Sequence, residues 1–345
     1  MSTISSHVRA QAGPLLSSQI FSWCFLGACY WLLLGTTLDA WAHNHIRLET
    51  FFTPWHAILY SGLLATGLVL PGTILVNRLR GLSWKDAIPP GYEIAVLGLI
   101  GAFIGGIGDM TWHVLLGVEQ NADAVFSPTH IALMLFFGFI LVAPYRVLYT
   151  GTRPISQMLL VLSYTLLLTY WSIISQSASP YTSLWLTKTP KTNEAGQILA
   201  VVSYIIQGGF LAALSMYTIR RWKLFFGFFT LALTLSAIPL ATMQNNFIVI
   251  PIGAVAGLLI DAAYRFMRPS LERKDSFRIF VALVPGIWLL TYTIIVALVY
   301  GTVWSTHLLV GSVVVTCLIS WLLSGLLFPL PLPTENENSH ENARS

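Results

Sequence analysis

The feature that most constrains the fold of this chain is a series of ten mainly apolar runs, each of about 20 residues. Short polar segments separate them. As helices, such runs cross the roughly 30 Å hydrocarbon core of a bilayer, because a helix rises about 1.5 Å per residue. Barrel strands would be shorter and would alternate in polarity. We predict an all-α polytopic membrane protein with about ten transmembrane helices, at residues 18–41, 54–77, 92–116, 128–148, 154–176, 197–219, 222–243, 246–264, 279–300 and 304–327.

The composition excludes several other classes of protein. Only 9% of the residues are charged and 55% are hydrophobic, whereas a soluble domain has about a quarter charged residues. A soluble enzyme, a disordered chain and a nucleic-acid binder with a basic surface are therefore excluded. The three cysteines, Cys24, Cys29 and Cys317, lie inside apolar runs and predict neither a disulfide framework nor a Cys-x-x-Cys metal site.

The basic residues predict the orientation in the membrane. With the N-terminus in the cytoplasm, the outer side carries only Arg47, Lys188 and Lys191 of the 18 Lys and Arg residues. This asymmetry follows the positive-inside rule. No Asn-x-Ser/Thr sequon is present, which favours a bacterial cytoplasmic membrane over the secretory pathway. We expect both termini to be cytoplasmic, and we expect Asp261 to pair with Arg265 at an inner helix end.

The predicted domain organisation has four parts. Residues 1–17 form a cytoplasmic tail, and 18–150 form a four-helix unit made of spans 1–4. Residues 151–328 form a six-helix unit, in which spans 5–10 offer a surface for a membrane-protein partner. Residues 329–345 are rich in Pro, Asn and Glu and are predicted to be a disordered cytoplasmic tail.

Two segments at outer helix ends share one pattern. Each has an Asp and a His at positions i and i+4, then a Glu, then a Thr/Ser-Pro-x-His motif that opens the next span. Since Asp and His are rare in this chain, the matching register predicts parallel, duplicated helical hairpins, spans 1–2 and spans 3–4. The members of the two copies are Asp39, His43, Glu49 and His56, and Asp109, His113, Glu119 and His130.

The spacing in each copy is typical of metal ligands. An Asp and a His at i and i+4 share one helix face. Thr53 and Ser127 are predicted N-caps, each followed by Pro at the first helical position. His56 and His130 then lie in the first turn, where the helix dipole disfavours a protonated imidazole and so favours the neutral form that binds metals.

We therefore predict a metal centre facing the periplasm or the outside. Its ligands are Asp39, His43, His56, Asp109, His113 and His130, and Glu49 and Glu119 are candidate catalytic bases. A nitrogen and oxygen donor set without thiolate suits copper, iron or zinc, in a mononuclear or a dinuclear site. A stripe of small residues on span 3, Gly98, Gly101, Gly105 and Gly108, favours close packing. The alternative is a structural or proton-relay network of the same polar residues.

One part of the second copy resembles a known family. Asp109, His113 and His130 are similar to the copper-binding motif in the C subunit of particulate methane and ammonia monooxygenases. That resemblance implies copper and oxidation chemistry at these three positions. The interval from His113 to His130 is longer than in that family, and the predicted spans are more numerous.

These observations lead to one predicted function and two alternatives. The favoured hypothesis is a membrane metalloenzyme, an O2-dependent oxidoreductase or a zinc-type hydrolase, that acts on a small or lipophilic substrate. A transporter for an uncharged substrate is one alternative, although ionisable residues are scarce in the middle and inner layers of the spans. A non-catalytic metal-receiving or assembly factor is the other.

Overall fold

The structure is a computed structural model that describes residues 19–46, 50–119, 122–151 and 156–328. Within these residues the chain is helical and has no β-strand, which confirms the predicted all-α class. The two predicted tails, residues 1–17 and 329–345, lie outside the described residues.

Ten long helices follow the predicted spans closely, and short helical turns lie between some of them. The short elements are Trp84–Ala87, Ala122–Phe126 and Trp185–Lys188, with 3-10 turns at Gln176–Ala178 and Gly325–Leu327. The long helices are α1 (Gln19–His45), α2 (Pro54–Leu79), α3 (Glu93–Leu116), α4 (Pro128–Thr150), α5 (Gln157–Ile174), α6 (Glu194–Arg221), α7 (Phe228–Gln244), α8 (Val249–Met267), α9 (Lys274–Tyr300) and α10 (Thr306–Ser324).

Nine of these helices in the described part of the chain are long and apolar enough to cross a membrane. The tenth helix, α7, has 17 residues and a length of about 26 Å, and it is shorter than each of these nine. Its span was expected to start at residue 222. The helix begins only at Phe228 because Gly227 has a left-handed backbone conformation, with φ 104°, and serves as the N-cap.

Close helix packing builds the two N-terminal hairpins. A Cβ atom at Gly35 of α1 would lie 2.4 Å from the Leu59 Cα of α2, and one at Gly101 of α3 would lie 2.2 Å from the Phe136 ring of α4. Only glycine permits these approaches, so the predicted close packing of the span 3 stripe is confirmed at Gly101. The helices α2 and α3 also touch, as do α1 and α4, so the two hairpins stand side by side.

The remaining six helices pack on one side of this four-helix unit. The helix α5 contacts α1, α4, α6 and α7, and α9 lies among α6, α8 and α10. Gln207 of α6 donates a hydrogen bond to the Ser175 hydroxyl, 2.7 Å away at the end of α5. This bond joins α6 to the end of α5 through polar groups.

The predicted Asp261–Arg265 ion pair is wrong. Asp261 instead accepts hydrogen bonds from the Phe229 and Thr230 backbone N–H groups, at 3.1 and 2.9 Å, and from the Thr230 hydroxyl, at 2.7 Å. The N-cap of α7 is a glycine and has no side chain to bond these N–H groups, so a carboxylate from α8 takes its place.

Candidate metal centre

Two matching helix starts position a histidine in each hairpin. The Thr53 hydroxyl accepts a hydrogen bond from the His56 N–H at 3.2 Å, and the Ser127 hydroxyl accepts one from the His130 N–H at 3.3 Å. Proline occupies the first turn of both α2 and α4. The predicted caps are therefore confirmed, and both imidazoles lie in the first turn of their helices.

Each hairpin brings one aspartate against two imidazoles. In the first hairpin, Asp39 Oδ1 lies 3.2 Å from His56 Nε2, and Asp39 Oδ2 lies 4.0 Å from His43 Nε2. In the second, Asp109 Oδ1 lies 3.5 Å from His113 Nε2 and 3.3 Å from the Nε2 of the fourth histidine, His130. The two halves of the cluster thus repeat the same arrangement of side chains.

The four imidazoles form a closed ring across the two hairpins. The His43–His56 and His113–His130 ring centres, within the hairpins, are 6.4 and 5.4 Å apart. The His56–His113 and His43–His130 ring centres, between the hairpins, are 6.1 and 5.8 Å apart. Imidazoles that share an ion at metal–nitrogen distances of about 2 Å have ring centres within about 6.5 Å of each other. The four histidines are therefore close enough to share ions.

Two of the imidazoles have a partner on the nitrogen that faces away from the aspartates. His56 Nδ1 lies 2.5 Å from the Phe51 carbonyl oxygen, and His113 Nδ1 lies 2.9 Å from Glu119 Oε2. The Phe51 carbonyl oxygen only accepts, so its hydrogen bond favours the His56 tautomer with the proton on Nδ1. The Glu119 carboxylate forms a close charge contact without hydrogen-bond geometry, and its negative charge favours a proton on the same nitrogen of His113. The lone pair is then on Nε2, toward the aspartates, as in many protein metal sites.

Three residues of the cluster are buried, the other three are half-buried, and several polar atoms have no hydrogen-bond partner. The exposed fractions of Asp109, His56 and His113 are 1%, 4% and 5%. Among the described residues, the cluster atoms without a hydrogen-bond partner are Asp39 Oδ1, His43 Nε2, Asp109 Oδ1, both ring nitrogens of His113 and both carboxylate oxygens of Glu119. Buried polar atoms without a partner cost free energy, and a cation between them would remove that cost.

Two groups of ligand atoms in the cluster lie within 4.8 Å of one another. One group is Asp39, His43 and His56, and the other is His56, Asp109 and His113. His56 belongs to both groups, so the two halves meet at this residue. All six predicted ligands thus lie in one cluster, whereas their binding of a metal stays a prediction.

The other predicted or polar residues have different positions. Glu49 lies outside the described residues. Glu119 contacts His113, and its catalytic role stays a prediction. His45 stacks on Trp41, with ring centres 5.1 Å apart, and His307 is exposed at the start of α10.

Sequence reasoning missed two residues of the cluster. The Tyr60 hydroxyl donates to Asp109 Oδ2 at 3.4 Å and joins the hairpins. Its position four residues after His56, on the same face of α2, is a signal that could have found it. Phe51 stacks on His56, with ring centres 4.7 Å apart, and its carbonyl contact depends on loop conformation, for which the sequence gives no signal.

A small cavity adjoins the cluster between α1, α4 and α5. Its volume is about 100 Å³. Asp39, His43 and His130 form its polar wall, and the opposite walls are mostly apolar. A hydrogen bond of 3.0 Å from the Asn44 side chain to the Gln176 side chain lies beside it. The other residues that line it include Leu133, Met134, Phe137, Tyr170, Ile173 and Ile174.

The helices and the cluster together define a polytopic membrane protein with a candidate metal centre at one end of a four-helix unit. Comparison of the chain with family models, with curated proteins and with solved structures found no match. The functional assignment therefore rests on the residues of the cluster and on their geometry.

Proposed function

We propose that this chain is an integral membrane metalloenzyme whose centre at the outer end of α1–α4 binds one or two transition-metal ions. The observation that carries the proposal is the convergence of four imidazoles and two carboxylates, buried or half-buried and contributed equally by two hairpins. A structural ion pair needs one acid and one base. Six such groups around unsatisfied buried atoms favour a cation between them.

The donor set selects among metals. Imidazole and carboxylate ligands suit copper(II), iron and zinc, and no cysteine is among the ligand groups of the described residues. His56, which belongs to both groups, would bind one ion of a dinuclear centre through Nε2, since its Nδ1 contacts the Phe51 carbonyl oxygen. Zinc would support hydrolysis of a substrate by water, and copper or iron would support oxidation by O2. The resemblance of Asp109, His113 and His130 to a copper motif favours the second reaction.

The chain's own residues orient the ligands. The Phe51 carbonyl accepts a hydrogen bond from Nδ1 of His56, and the Glu119 carboxylate lies beside Nδ1 of His113, so both residues would offer Nε2 to an ion. Tyr60 donates to one oxygen of Asp109 and leaves the other oxygen to the two histidines beside it. In this assignment Glu119 is a positioning residue, and a second role as proton acceptor depends on the reaction.

The adjoining cavity favours a small substrate. A cavity of about 150 Å³ lined by apolar side chains is known to hold benzene, and this one is about 100 Å³. A molecule of a few heavy atoms fits this volume. Its apolar walls favour a neutral, lipophilic compound, and His43 and His130 on the polar wall are metal ligands in this proposal.

Elemental analysis of the purified, detergent-solubilised protein tests the proposal. The matched variants are His56/His113/His130 changed together to Ala, and His45/His307 changed to Ala as a control outside the cluster. We expect near-stoichiometric copper, iron or zinc in the wild type and in the control, and its loss in the cluster variant. Asp109→Ala and His113→Ala should also lose metal and keep the helical fold by circular dichroism.

The other outcomes distinguish the alternatives. No metal in the wild type, after repletion with all three ions, would refute the metal centre and favour a transporter for an uncharged substrate. Metal loss in the His45/His307 control as well would refute the site assignment. Tightly bound metal without O2 consumption or hydrolysis would refute the enzyme and favour a metal-receiving factor, because a storage site has no open coordination position.

A further inference from the structure

A second group of charged residues lies at the opposite, inner end of the molecule. Two adjoining pockets there are lined by four cationic residues from three neighbouring segments. The pocket nearer α7 has a volume of about 570 Å³, within the range of roughly 300–1,000 Å³ typical of ligand sites. The cations are Lys223 before α7, Arg265 in the last turn of α8, Arg268 after α8 and Arg273 before α9.

Backbone contacts hold these cations together. The Arg268 N–H donates to the Tyr264 carbonyl oxygen at 2.9 Å, and the Arg273 N–H donates to the Ser270 carbonyl oxygen at 3.0 Å. Arg268 itself has a left-handed backbone with φ 47°, a conformation that favours glycine. The Leu224 N–H donates to the Tyr264 hydroxyl at 3.1 Å and fixes the loop that carries Lys223. The turn is therefore ordered and its charges converge.

The four cations have no acidic partner among the described residues. Asp261 lines one pocket, but both of its oxygens already accept hydrogen bonds from the start of α7. Glu272 and Asp275 lie in the same turn, are exposed, and form no ion pair in the described chain. By contrast, the neighbouring Lys274 and Arg278 lie over the rings of Phe328 and Trp321. The pocket thus has a net excess of positive charge.

Aromatic side chains flank the cationic pocket on its lipid side. Phe226 and Phe266 line it and are 60% and 89% exposed. Further along α8, Leu258 and Leu259 are also exposed and extend the apolar surface toward the bilayer centre. A ligand with an anionic group and adjoining acyl chains would complement both the cationic pocket and the apolar surface beside it. A free anion would contact only the cationic pocket.

We propose that this inner pocket, formed by Lys223, Arg265, Arg268 and Arg273, binds the headgroup of an anionic phospholipid. The phosphate lies among the guanidinium groups, and the acyl chains run over Phe226, Phe266 and α8. The proposal is independent of the metal centre, which lies at the other end of the helices. The bound lipid would anchor the turns between α7, α8 and α9 to the inner leaflet of the membrane.

Native mass spectrometry of the full chain from nanodiscs tests this inference. The nanodiscs contain phosphatidylcholine alone or with phosphatidylglycerol as the anionic probe. The test variant changes Arg265, Arg268 and Arg273 to Gln. The control changes the exposed Arg80, Lys85 and Arg220 to Gln, so that the same charge is removed from other inner segments. Since each cation that contacts the phosphate should strengthen binding about fivefold, the test variant should bind phosphatidylglycerol roughly 100-fold more weakly than the wild type, and the control should not.

The expected results are retention of one phosphatidylglycerol by the wild type and by the control, with a higher unfolding temperature than in phosphatidylcholine alone. The test variant should lose both effects. Equal retention by the test variant would overturn the proposal, and so would an equal loss in the control, which would show general charge attraction. Stabilisation of the wild type by inorganic phosphate in phosphatidylcholine would identify a phosphate site and overturn the lipid assignment. Single variants at Arg265 or Arg273 provide the same test if the triple variant unfolds.

Discussion

The contact between Glu119 and His113 offers the sharpest test of the metal centre. The His113 side chain is fully buried, and the Glu119 carboxylate lies 2.9 Å from its Nδ1, so solvent screens this contact little. In Glu119→Gln the size of the side chain is kept and its charge is lost. Loss of such an outer partner costs about 10- to 100-fold in metal affinity. This range corresponds to about 1.4–2.7 kcal/mol.

The affinity is measured by competition between the solubilised protein and a metal indicator of known affinity. Asp123→Asn is the matched control, since Asp123 is an exposed acid four residues further along the same segment. We expect an unchanged metal stoichiometry in both variants and a weaker affinity only in Glu119→Gln. Equal affinities in the two variants would refute the positioning role. A lower stoichiometry in Glu119→Gln would make Glu119 a ligand itself.

Three further predictions concern packing, capping and topology. In Gly101→Leu, whose first side-chain carbon would lie 2.2 Å from the Phe136 ring, the unfolding temperature should fall, with a loss of about 1–3 kcal/mol or more in the free energy of unfolding; an unchanged temperature would contradict the hairpin packing. Asp261→Ala should cost about 1–3 kcal/mol by the same thermal assay, because backbone N–H groups of α7 lose their acceptor, and it should leave the metal content unchanged. A cysteine introduced at Asp123 should be labelled by an impermeant thiol reagent on intact cells, and one at Lys85 should not; the reverse pattern would invert the topology.

The features that depend on spacing within one helix or turn could be predicted from the sequence. Apolar run lengths predicted the helices, and the N-caps predicted at Thr53 and Ser127 are both present. The i, i+4 spacing placed Asp109 beside His113, at 3.5 Å. The glycine stripe predicted close packing of α3 but not that its partner would be α4. Each of these features is determined within one helix or one turn.

Features that depend on contacts between helices could not be predicted. Asp39 lies closer to His56, on the next helix, than to His43 on its own, because the crossing of α1 and α2 sets that distance. The carbonyl partner of His56 depends on the loop conformation at Phe51. Asp261 was expected to pair with its neighbour in sequence, but α7 starts late and its unsatisfied N–H groups attract the carboxylate. Periodicity carries no information on such contacts.

The division of the cluster between two hairpins has a consequence for biogenesis. The first hairpin alone supplies one group of three candidate ligands, but neither hairpin contains all six. Under the proposed function, the complete centre would therefore form only after membrane insertion and docking of both hairpins. An ion that binds only the docked state stabilises it by mass action, so metal binding would act as a late checkpoint of assembly. Since the basic residues predict that this end faces outward, the ion would come from the extracytoplasmic pool, and metal availability there would decide which element is incorporated.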